Sequence, residues 1–320
     1  MDSVPTWTIR SPTQTPCKFK IRSMRSTVRI SFFYGEKTHS FFTMIGVFFF
    51  FLSQISLALA APQTIFCLIH TATPSHETRA KTILETWAQH CDDFLFFTDS
   101  KMNDSIPHIY YPLLNSRDHS WEKIRRVFKY VHDKIGKKYD WYYRADDDTY
   151  ALMHNMRTLL ANYTSSKQHY LGLRWAFFTP RGFNDGSSYI LSRPTMEAFN
   201  EVMLDPDRCP DHHRAEEDQE VRFFCHEAIF DQLIIQLAKC LAHMDVYPED
   251  IRDEYGSERI QHFHPIEQYG IYKDTFNRRL AYYPAMKEDE NFSSRMISFH
   301  HVSPYEMRMM DYIFYHLNKP

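Results

Sequence analysis

Glycine is scarce in this 320-residue chain, with 8 in all, and neither a repeat nor a biased tract interrupts it beyond one phenylalanine-rich run. Low-complexity and repeat architectures are therefore excluded. Charge of one sign is also lacking. A formal net charge of −3 removes the electrostatic footprint of a nucleic-acid binder, so nucleic acid is not an expected partner. What remains is 43% hydrophobic and 16% aromatic, enough for one sizeable core or two small ones.

The charge that is present is unevenly placed. Arg10, Lys18, Lys20, Arg22, Arg25, Arg29 and Lys37 face only Asp2 and Glu36 across residues 1–40, and residues 41–61 carry no charge at all. A basic flank followed by about twenty apolar residues reads as a type II signal anchor, with 1–40 cytosolic, 41–61 crossing the bilayer and 64–320 in the lumen. A second reading starts at Met44, with a signal-peptide core over 45–57 and Ala58-Leu59-Ala60 as the cleavage site. Both readings deliver the bulk of the chain to the secretory lumen. Six cysteines suit that compartment: Cys67, Cys91, Cys209 and Cys240 are spaced so that two disulfides can form, while Cys17 falls in the tail and Cys225 is left over. Connectivity stays open at this point. Sequons at Asn103, Asn162 and Asn291 are potential glycan acceptors.

From residue 64 strands and helices alternate. Short apolar runs at 65–70, 93–97, 140–144, 170–175 and 187–191 predict strands. Ala80, Leu84, Trp87 and Cys91 predict a helix over 77–91. Trp121, Ile124, Phe128, Val131 and Ile135 predict another, and Pro194 opens a third over 194–203. This order implies an α/β fold with a mostly parallel sheet flanked by helices, followed by an irregular, aromatic last hundred residues.

The acidic triplet Asp146-Asp147-Asp148 falls at the carboxyl end of the third of these strands, the edge at which α/β sheets bind ligands. Adjacent carboxylates repel and raise one another's pKa, and a divalent cation relieves that conflict. Alternate carboxylate oxygens suit Mg2+ or Mn2+, which keep positions open for substrate phosphates. The other reading makes Asp148 a helix cap, with its neighbours facing water.

The segment 140–150, DWYYRADDDTY, resembles the DxD segment of the β1,3-glycosyltransferases that include the core 1 galactosyltransferases and fringe. The stretch 86–91 (TWAQHC), the Arg117, Trp121, Lys123 spacing, and the stretches 189–192 (YILS), 263–265 (FHP), 282–284 (YYP) and 298–302 (SFHHV) follow in that family's order. The resemblance spans nearly all of 64–320. It implies a Rossmann-like GT-A fold and an inverting transfer of galactose from UDP-galactose to the 3-hydroxyl of GalNAc-α-Ser/Thr. It also implies a Golgi or ER membrane location, and it leaves homodimerisation open.

Carried over residue by residue, the resemblance makes Asp146, Asp148 and His300 the ligands of Mn2+. Thr71, Ser116, Arg117, Lys123 and Asp146 become contacts to the UDP donor, and Asp218, next to Glu217, becomes the base that deprotonates the acceptor hydroxyl. The same resemblance pairs Cys67 with Cys91 and Cys209 with Cys240. Two departures stand out. The family's glycine-rich segment is here Asn184-Asp185-Gly186-Ser187-Ser188, and residues 222–237 form an insertion that is either lineage-specific or translated non-coding sequence. A catalytically silent, chaperone-like branch of the family is the alternative function, although that branch lacks the acidic triplet. A transferase for another sugar is the third reading.

Overall fold

The computed structural model describes residues 63–112, 120–210, 232–271, 280–284 and 286–317. The tail 1–40, the apolar span 41–61, Ser116, Arg117, Glu217, Asp218, Cys17, Cys225 and residues 222–231 of the insertion lie outside them. Among the described residues no helix is long and apolar enough to cross a membrane.

Strands β1 (Ile65–His70), β2 (Asp93–Thr98), β3 (His108–Tyr110), β4 (Trp141–Asp146), β6 (Tyr170–Trp175), β7 (Phe183–Ser192) and β8 (Pro248–Glu249) form one sheet in the order β3-β2-β1-β4-β7-β6-β8. β7 runs antiparallel to both neighbours, and every other pairing is parallel. The sheet is therefore mixed, with the expected parallel character on the side that carries the acidic triplet. β1 and β4 are buried almost throughout, as parallel strands covered on both faces must be.

Helices flank this sheet: α1 (Lys81–Glu85), α2 (Ser120–Lys134), α3 (Met153–Leu160), α4 (Arg193–Val202), α5 (Gln232–Ala242), α6 (Pro265–Ile271) and α7 (Pro304–Asp311). Aromatic rings join α2 to α4, with Phe199 5.3 Å from Phe128 and 6.0 Å from Trp121 between centroids. The apolar spacing read between residues 222 and 237 does continue as helix from Gln232, in α5.

The predicted helix over 77–91 is broken. A π-turn at His76–Ala80 leads into α1, Thr86 takes φ −122° and ψ −113°, and a 3-10 turn covers Trp87–His90. Two demands outweigh helical continuity here. Trp87 is fully buried and donates its indole N–H to the Thr149 carbonyl at 2.9 Å, and Cys91 is bonded to Cys67 in β1. An unbroken helix would have to give up one of these anchors.

The last third is less irregular than expected. β5 (Tyr150–Ala151), β9 (Ile260–Gln261) and β10 (Ser298–Phe299) form a small second sheet in the order β5-β10-β9. β5 leaves directly from the acidic triplet, so whatever follows β10 is delivered to that triplet. α7 is closed by a capping box in which Ser303 and Glu306 satisfy each other's backbone N–H groups.

Both expected disulfides are present, Cys67–Cys91 and Cys209–Cys240, closing loops of 24 and 31 residues in sequence separation. Replacing Cys67 and Cys91 together by Ser should cost roughly 3 kcal/mol, because a loop of that length loses its constraint on the unfolded chain. Thermal unfolding under oxidising conditions checks this, and a melting temperature equal to that of the wild type would contradict it.

Candidate active site

At the end of β4 the three aspartates diverge. Asp147 turns inward, where the Thr71 hydroxyl donates to it at 2.6 Å and Arg79 Nη1 at 3.2 Å. Burial raises its pKa from the ordinary carboxylate value, against the pull of these two partners. Thr71, directly after β1, thus holds the middle aspartate with its hydroxyl hydrogen. β4 ends at Asp146 and the chain turns through Asp147 and Asp148, with the Thr149 N–H donating to the Asp146 carbonyl at 3.1 Å, and Asp146 and Asp148 both come near His300.

Arg144, two residues before Asp146 and on the same strand face, is nearly inaccessible. Its guanidinium donates to Asp146 Oδ1 at 2.6 Å and to the Gly186 carbonyl of β7. His70 Nδ1 lies 3.3 Å from the same Asp146 oxygen. Burial opposes ionisation of Asp146, but Arg144 first, then His70 and His300, outweigh it and hold the carboxyl at about 2. Asp148 is also lowered, since its contact with His300 outweighs burial.

His300 arrives through the small sheet. β10 pairs antiparallel with β5, Phe299 opposite Tyr150, and parallel with β9, Phe299 beside Gln261. The next residue along, His300, therefore stands beside the triplet on one side and beside His262 on the other. Its Nδ1 donates to the His262 carbonyl at 2.9 Å, which turns Nε2 toward the carboxylates. Nε2 is 2.9 Å from Asp148 Oδ1 and 3.8 Å from Asp146 Oδ2. A backbone carbonyl fixing one imidazole nitrogen while the other meets a ligand is the usual second shell of a metal-binding histidine. Octahedral oxygen and nitrogen ligands about 2.1 Å from a small divalent cation lie about 3 Å apart, a spacing that the Asp148–His300 pair meets and the longer Asp146–His300 separation does not.

Two further histidines and one carboxylate border these groups. Asp148, His300 and His301 offer ligand atoms that all lie within 4.8 Å of one another. His262 Nδ1 is 2.7 Å from Asp185 Oδ2, and Asp185 also accepts from the Trp175 indole at 2.7 Å and from the Ser187 N–H at 2.8 Å. Burial disfavours the Asp185 charge, but His262 and these donors hold the carboxyl well below its ordinary range. The departure from glycine at 184–188 therefore places a buried negative charge behind the site.

Of the other expected donor contacts, Lys123 lies buried in α2 with no acidic partner among the described residues, while Ser116 and Arg117 are not described. Reading the sequence passed over Arg144, Arg79, His70 and Asp185 as site residues. Arg144 was findable from its i, i+2 spacing to Asp146. Arg79 and His70 reach the triplet, and Asp185 reaches His262, only once the tertiary fold is formed, which leaves no local signal.

Residues 60–181 match the Fringe-like family. The chain is 29% identical over 273 residues to a Xenopus laevis glycoprotein-N-acetylgalactosamine 3-beta-galactosyltransferase 1, which covers 83% of this chain and 70% of that protein. It is 28% identical over 139 residues to mouse chondroitin sulfate synthase 3, covering 39% of this chain and 16% of that protein. A radical fringe β-1,3-N-acetylglucosaminyltransferase of Notophthalmus viridescens is 28% identical over 115 residues, 34% of this chain and 29% of that protein.

Without a cation the His300–Asp148 contact stabilises the fold in one pH range only. Burial opposes a charge on His300, yet Asp148 and then Asp146 raise its pKa from 6.5 to about 9. A folded value above the unfolded one means that this stabilisation is complete below pH 6.5 and is lost as pH rises through about 9. In chelator-treated protein, the difference in melting temperature between wild type and His300→Gln should shrink from pH 6 to pH 10, on the order of the shift described. A difference that grows with pH would contradict the pairing.

Proposed function

We propose that this chain, a member of the core 1 β1,3-galactosyltransferase family, is an inverting glycosyltransferase that moves galactose from UDP-galactose to the 3-hydroxyl of GalNAc on serine or threonine. The observation that carries this reading is the convergence of Asp146 Oδ2, Asp148 Oδ1 and His300 Nε2 at the carboxyl edge of a mixed α/β sheet, the arrangement of a GT-A donor site. The fit is one of donor chemistry. Two hard carboxylate oxygens and one oriented imidazole suit Mn2+, which, when bound, supplies the positive charge that a departing nucleoside diphosphate needs.

The protein's own groups divide the remaining work. Arg144 and His70 hold one oxygen of Asp146 and leave the other turned toward His300. Thr71 acts on the donor site by fixing Asp147, which keeps the turn in place. Lys123, buried without an acidic partner among the described residues, suits a phosphate oxygen, and Ser116 and Arg117 complete the UDP contacts in this reading. Asp218 takes the proton from the acceptor 3-hydroxyl as that oxygen bonds to the anomeric carbon. The bond from that carbon to UDP breaks on the opposite side, and UDP leaves with the electron pair.

In the cell the enzyme is a type II protein of the Golgi or ER membrane, held by 41–61, and acts on GalNAc-bearing glycoproteins. A different donor sugar is the second reading. The buried Asp185 favours it, because a charged side chain stands in the segment where the family's glycines lie.

The test is transfer from a panel of UDP-sugars to a GalNAc-peptide by the detergent-solubilised full chain. Asp218→Asn should lower turnover by about two to four orders of magnitude while leaving UDP binding intact, the range expected for loss of a general base. Asp148→Asn should instead weaken cation binding and turnover together. Wild-type protein that binds UDP but transfers no sugar would support the silent, chaperone-like role, and an active Asp218→Asn would move the base to Glu217.

A further inference from the structure

His301 is the residue that the proposed metal set leaves out. Successive side chains on an extended strand point to opposite faces, so a strand that presents His300 to the triplet would turn His301 away from it. The chain does not continue as a strand. His301 has φ +59°, a left-handed conformation that few non-glycine residues adopt, His, Asn and Asp most readily. Immediately after it, the Val302 N–H donates to the Asp148 carbonyl at 2.9 Å and pins the chain back onto the acidic turn.

The result is that both rings lie on the same side. Their centroids are 4.1 Å apart, and ligand atoms of His301, His300 and Asp148 fall within one sphere of contact, all within 4.8 Å of one another. The left-handed residue thus brings a second imidazole beside His300 and Asp148.

We propose that His301 is an additional ligand of the divalent cation in this protein and tilts the site toward Mn2+ or Co2+ and away from Mg2+. The inference rests on the metal-dependent reading given above. Its chemistry is that of the donor set: each imidazole added to an oxygen site favours the later first-row ions, which follow the Irving–Williams order, over Mg2+, which is suited to oxygen alone. His301 is about half exposed at its side chain, so it can accept or release a cation without rearrangement of the core.

The test is cation affinity, measured by titration calorimetry of the full chain with Mn2+, Co2+ and Mg2+ in the presence of UDP. His301→Asn is the informative variant, since asparagine tolerates the left-handed conformation and preserves the turn. His301→Asn should bind Mn2+ and Co2+ about tenfold or more weakly, at least the loss that removal of an outer-shell partner causes, while Mg2+ affinity changes little. The ratio of Mn2+ to Mg2+ affinity should therefore fall. If Asp148→Asn weakens Mn2+ binding and His301→Asn, with an unchanged melting temperature, does not, His301 is not a ligand and the broader reading stands. If the wild type itself binds none of the three ions, the metal-dependent reading fails along with it.

Discussion

Three carboxylates in succession at the end of a buried strand set the terms for everything around them. Each repels its neighbours, and burial makes each charge harder to hold. The fold answers with cations in fixed places: Arg144 from the same strand, Arg79 from the segment after β1, and His300 from the far end of the chain. Arg144 is nearly inaccessible and also grips the Gly186 carbonyl, so it joins the acidic turn to β7 as well as balancing it. These groups leave Asp146 Oδ2 and Asp148 Oδ1 facing His300, the place where the proposed function puts a divalent cation. A site with permanent partners on one side and open donors on the other is suited to bind a cation together with a charged substrate.

Topology makes this possible. Parallel β1 and β4 end at the same edge, so Thr71 and His70 reach Asp147 and Asp146 from one side. The small β5-β10-β9 sheet, built partly on the strand that leaves the triplet, brings His300 and His262 from the other. Trp87 anchors the same turn from below through the Thr149 carbonyl. This explains why the segment after α1 gives up helical continuity: the indole that holds the turn is placed by that break.

Much of this was legible in the sequence because the signals are local. The apolar runs at β1, β2, β4 and β6 mark those strands, and the triplet sits where the end of such a strand must be. His300 lies 2.9 Å from Asp148 and 3.8 Å from Asp146, and both disulfide pairings match. What could not be read is long-range. The break at Thr86 depends on where Trp87 and Cys91 are anchored, the small sheet is built from two-residue strands too short to show a period, and Asp185 meets His262 only after β7 and β9 are in place. His301 was visible as a neighbour of His300, but its return to the same side depends on one left-handed residue.

The central claim is that this edge binds a nucleoside diphosphate through a divalent cation. The most direct measurement is the affinity of the wild-type full chain for UDP with Mn2+ and with chelator. The account predicts that Mn2+ tightens UDP binding by about tenfold or more, a coupling of roughly 1.4 kcal/mol or above, and that chelator removes the gain. UDP affinity that is the same in Mn2+ and in chelator would contradict it.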